Sequence, residues 1–91
     1  MKVEWSAEAQ ADLVAIREFV SSVSGEAARR LVARIVDRTV QLSDFPFFGA
    51  TVPNRESMRV RELIEHGYRI LYAVGEETVV VLAVIHGRRK I

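Results

Sequence analysis

Apolar and polar positions change period twice along the chain and divide it into three blocks. Lys2 to Trp5 alternates polar with apolar residues, the pattern of a short half-buried strand. Ser6 follows as a helix N-cap, with Glu8 in the first turn where the helix dipole favours an anion. Ala9, Leu13, Ile16, Val20 and Val23 then recur every three or four residues, predicting one amphipathic helix of about four turns. Ser24-Gly25 reads as its stop signal, after which Ala28, Leu31, Ile35, Val36, Thr39 and Leu42 draw a second apolar stripe. So short a break makes the two helices antiparallel neighbours.

Phe45-Pro46-Phe47-Phe48-Gly49 ends the second helix, because proline cannot continue it. Its three phenylalanines are expected to plug the edge of the core, and Ala50 to Ser57 reads as a loop. Beyond it the period becomes that of strands. Met58 to Ile64, Tyr68 to Val74 and Thr78 to Ile85 are rich in Val, Ile, Leu and Tyr and are parted by short turns, so they form an antiparallel meander. Val79 to Ile85 is apolar at every position and is expected to be the most central strand. The fold class is α+β: an N-terminal strand and an antiparallel helical hairpin packed on a small antiparallel sheet, in one domain spanning residues 1–91. The helices cover one face of the sheet and leave the other partly open.

Composition narrows the chemistry. With 91 residues, 49% apolar and 27% charged, the chain can bury one thin core and no second domain. It has no cysteine, which excludes a disulfide framework and most structural zinc sites, and no cofactor or metal is expected. No basic-then-apolar leader opens it and no apolar run is long enough to span a bilayer, so a cytoplasmic protein with no membrane partner is expected. The net charge is only +1, yet eleven of the 13 cations are arginines. Six Lys+Arg and seven Asp+Glu fall in the first fifty residues, against seven and five in the rest.

Arg59 and Arg61, two apart on a predicted strand, point to one face, and Arg69 and Arg88 lie near the ends of the following strands. On one concave surface these forks suit phosphate, because each stays protonated and can bond two oxygens at once. The alternative is a solvent-facing pair that keeps a sheet edge soluble. His86, at a strand end before Gly87, can serve as a general acid or base or as a half-buried hydrogen-bonding residue. His66 falls in a turn, Trp5 reads as a core anchor, and Tyr68 and Tyr72 share a face as core or rim aromatics. Arg29, Arg30, Arg34 and Arg38 lie on the outer face of the second helix, either solvated or facing an acidic partner segment.

Five stretches in order resemble the RelE/ParE superfamily, the toxins of bacterial type II toxin-antitoxin systems. They are Val3-Glu-Trp-Ser-Ala-Glu-Ala9 with Asp12-Leu13 and Ile16; Leu42 to Gly49; Val60-Arg-Glu-Leu63; Gly67-Tyr-Arg-Ile-Leu-Tyr-Ala-Val74; and Val84-Ile-His-Gly-Arg88. The resemblance implies a cognate antitoxin protein as partner, with a tail that orders on binding. It also implies one of two targets. RelE-like members cleave messenger RNA on the ribosome, and by motif their catalytic positions look like Arg59, Arg61, Arg69 and Arg88, with His86 or Glu62 supplying the base that arginine cannot. ParE-like members bind and poison DNA gyrase. The arginine-only set and the lack of a tyrosine beyond the last strand favour the ParE-like branch. The RelE-like endoribonuclease and a non-toxic antitoxin-binding module are the alternatives.

Overall fold

The computed structural model describes residues 1–55 and 59–87. Strand β1 (Lys2–Trp5) leads into helix α1 (Ala7–Ser21), helix α2 (Gly25–Val40) and a short 3-10 turn (Gln41–Ser43). Strands β2 (Ala50–Thr51), β3 (Val60–Glu65), β4 (Tyr68–Val74) and β5 (Thr78–His86) follow. The sheet runs β1-β5-β4-β3-β2.

The expected three-stranded antiparallel meander forms as β3 to β5, with Met58 outside the described residues; β2 adds to it antiparallel, but β1 joins β5 in parallel, so the sheet is mixed. Pairing direction is invisible to a four-residue alternation, because a strand at an edge presents the same faces whichever way it runs. β4 rather than β5 is central; β5 is interior only because β1 covers its other edge. The loop expected from Ala50 begins as β2, paired with Arg61 and Glu62.

Both helices start on a serine hydroxyl. Ser6 Oγ accepts from Ala9 N–H and Ser24 Oγ from Ala27 N–H, each satisfying one of the free donors of a first turn. Ser24-Gly25 therefore opens α2 instead of closing α1, and Val23 lies outside α1, 88% exposed. Ser6 does a second job: its hydroxyl donates to the Leu82 carbonyl at 3.1 Å and its N–H to the Val81 carbonyl at 2.9 Å. This is where Leu82 is inserted as a bulge between the pairs Tyr72–Val81 and Leu71–Ala83. The bulge shifts the alternation of β5, so that Val79, Val81 and Val84 all reach the main core. Asp12 on α1 accepts the Val84 N–H at 2.9 Å and ties the helix to the strand just beyond the bulge.

The main core lies between the helices and the sheet, with Ala9 and Ile16 of α1, Ile35 of α2 and Leu42 packed on Leu63, Ile70, Tyr72 and the three β5 valines. Trp5 joins it as a partly buried neighbour, as its position predicted. Val52, Val60 and Leu71 form a smaller cluster on the opposite face of the sheet. The phenylalanines do not plug the core edge: Phe45, Phe47 and Phe48 are 62–64% exposed. Their place beneath the hairpin is taken by Leu42, which is fully buried.

Candidate functional site

The loop bearing the phenylalanines is held by its backbone. Tyr72, on β4 with no exposed surface, accepts the Gly49 N–H on its hydroxyl at 2.8 Å. Arg61 Nη1 donates to the Phe47 and Gly49 carbonyls at 3.2 and 2.7 Å, and its guanidinium lies 5.1 Å from the Phe47 ring centroid. Arg38 stands 5.7 Å from the Phe48 ring centroid in the same manner. With carbonyls and amide fixed to the sheet, the phenyl rings are displayed outward. Arg61 is thus a structural fork at the root of this loop.

Of the other sequence candidates among the described residues, Arg59 alone meets it. Arg59 precedes β3 with φ 57°, so strand alternation does not reach it; it lines a cavity of about 330 Å³ with Arg61, Phe47 and Thr51. Arg69 is on the opposite face from Arg61. Leu63 and Ile70 point into the helix-covered core, which places Arg61 with Leu63 on that side and Glu62 and Arg69 on the other. There Arg69 Nε and Nη2 lie 2.6 and 2.5 Å from one oxygen, Glu62 Oε2, with both side chains 18% exposed. His86 returns to the helix side, edge-on to Tyr68 with ring centroids 5.8 Å apart, in a recess shared with Asp12, Ile16 and Phe19. Arg88 lies outside the described residues. The expected single concave surface is therefore divided: Arg59 with Arg61 at one end, Arg69 with Glu62 behind the sheet, His86 near α1.

The signal for this division was present in the chain. His66 and Gly67, with φ 50° and 82°, make the two-residue loop of a hairpin that pairs Glu65 with Tyr68. That register opposes Arg61 to Tyr72 and Arg69 to Ile64, so the two arginines cannot share a face.

Burial raises the Tyr72 hydroxyl above its ordinary value of 10.0, opposed by the Gly49 hydrogen bond and the Arg61 charge. The folded chain thus holds this proton more tightly than the unfolded one. Its contribution is intact below pH 10 and is lost as the pH climbs beyond. Urea midpoints are expected to decline above that pH, and Tyr72→Phe should flatten the decline while costing about 1–3 kcal/mol at pH 7, because it strands the Gly49 N–H. An unchanged alkaline slope in the variant would refute the assignment.

Comparison with known proteins places this architecture among toxins. The chain superposes on a chain of the chromosomal ParDE toxin-antitoxin system of Pseudomonas aeruginosa with a TM-score of 0.80 and 28% identity, covering 94% of this chain and 95% of that one. It superposes on the RelBE2 toxin-antitoxin complex of Mycobacterium tuberculosis with a TM-score of 0.69 and 26% identity, covering 93% and 95%. No curated relative matches by sequence. The family model for the ParE toxin of the type II toxin-antitoxin system parDE matches residues 3–91. The chain belongs to this ParE toxin family.

Proposed function

We propose that the protein is a growth-inhibiting toxin, neutralised by a cognate antitoxin, that acts by binding DNA gyrase and not by cutting RNA. The observation that carries this reading is the commitment of its arginines. Arg61 is tied to two backbone carbonyls and Arg69 to Glu62, on opposite faces of the sheet. A phosphoryl transition state needs several donors aimed at one position, already in place before charge develops. The ParE family match and the ParDE neighbour support the same branch.

The RelE-like reading keeps one observation of its own, the shared cavity of Arg59 and Arg61. It would employ Arg59, Arg61, Arg69, His86 and Arg88 on messenger RNA. Expression with and without the neighbouring reading frame separates the readings. The gyrase reading expects growth arrest relieved by the neighbour, intact messengers, and inhibition of supercoiling by micromolar purified toxin. Messengers cut within ribosomes, with supercoiling unaffected, would transfer the assignment to the endoribonuclease. Unimpaired growth together with co-purification of the neighbour's product would leave an antitoxin-binding module.

A further inference from the structure

At the end of the helical hairpin nearest the β3–β4 turn lies an open recess of about 330 Å³. Its floor is aliphatic, made by Val20 of α1 and by Ala27 and Leu31 of α2, while Arg30, Arg34 and His66 stand at its rim. Arg30 and Arg34 are one helical turn apart and so project to the same side. Glu26 is bonded to Arg30 at 3.2 Å, but both side chains are more than 60% exposed, so water screens the pair and the fork can exchange partners. Arg34 Nη1 donates to His66 Nε2, which holds that guanidinium at the rim.

His66 occupies a position where its type is not the easiest choice. Its φ of 50° is left-handed, and the first residue of such a turn is most readily asparagine. A histidine there accepts local cost and provides the imidazole that reaches Arg34. The lining also continues around Tyr68, which borders both this recess and the next, to Phe19, 74% exposed.

We propose that this recess receives an acidic-aliphatic segment of the antitoxin, its carboxylates held by Arg30 and Arg34 and its aliphatic side chain laid on Val20, Ala27 and Leu31. The proposal rests on the toxin-antitoxin reading above and assigns it a surface. Forks above an aliphatic floor match a peptide that carries carboxylates beside Leu- or Val-like side chains. A nucleic acid fits less well, since stacking needs a free aromatic face and Tyr68 is packed edge-to-face with His86.

The test uses the full chain and the product of the neighbouring reading frame, with affinity measured by calorimetry. Arg30→Glu/Arg34→Glu is expected to weaken binding about a hundredfold, whereas the control pair Arg17→Glu/Arg29→Glu, the same charge change at exposed arginines outside the recess, should weaken it only a few-fold. His66→Asn should hold or raise the thermal midpoint, because Asn-Gly suits the turn, yet weaken binding several-fold by releasing Arg34. Equal losses from the control pair and from the double variant would overturn the site in favour of long-range charge alone. Unchanged affinity in the double variant would overturn it and leave the antitoxin reading standing. Absence of binding by the unaltered chain would overturn that reading, and this surface with it. A short RNA that shifts the His66 ring signals when the antitoxin does not would also overturn the assignment to a protein ligand.

Discussion

Gly49→Ala is expected to lower stability by about 3 kcal/mol, at the upper end of the cost of adding one methyl group to a filled site. A Cβ at this position would sit 2.5 Å from the Glu62 carbonyl oxygen and 2.6 Å from the Tyr72 hydroxyl. Neither neighbour can yield. Glu62 is paired on both sides, to Ala50 of β2 and Leu71 of β4, and Tyr72 is wholly buried on the central strand. For a 91-residue chain, whose total stability is of the order of 5–10 kcal/mol, the loss should be plain as a lower urea midpoint with an unchanged slope. Gly49→Ala/Tyr72→Phe should cost less than the two single changes together, since removing the hydroxyl removes one of the clashes. A Gly49→Ala midpoint within error of the unaltered chain would mean that the loop does not approach the sheet this closely.

The second large effect concerns Arg69 and Glu62. Arg69→Met is expected to cost about 3–5 kcal/mol, because it leaves the Glu62 carboxylate mostly buried without its cation. Glu62→Leu/Arg69→Met should recover most of that loss, because two apolar side chains replace two charges whose desolvation largely cancelled their attraction. The exposed pairs Lys2–Glu4 and Arg30–Glu26, at least half exposed on every side chain, should contribute about 1 kcal/mol or less. The double variant also tests the function. If Arg69 serves only the fold, a chain with both charges removed and stability recovered should still arrest growth and inhibit supercoiling. If Arg69 contacts a scissile phosphate, that stable chain should lose its toxicity.

Much of the fold was legible in the order of residues. The two helices, the Ser6 cap and the three long strands follow from period and capping chemistry, which are local properties, whereas Ser24 looked like the end of α1 and is the cap of α2. The ordered motifs from Val3 to Arg88 also pointed to the superfamily to which the family match assigns the chain. The site was less legible. Arg59 and Arg61 looked like one strand pair because spacing of two implies a common face, but Arg59 stands in a left-handed turn ahead of β3. The phenylalanines looked like core because they are apolar. Their exposure follows from hydrogen bonds made by Tyr72 and Arg61, distant in sequence, to the backbone of Phe47 and Gly49.

The sequence by itself determined the helices, the meander and the short turn at His66-Gly67, because capping, periodicity and positive φ act over a few residues. Only the tertiary structure decided that β1 enters in parallel, that Leu82 bulges and Ser6 satisfies its carbonyl, and that Arg30 and Arg34 meet His66 at the rim of one recess. Each of these depends on groups more than thirty residues apart. Their meeting is set by how the hairpin and sheet bury a common core, which no local pattern of hydrophobic and polar positions records.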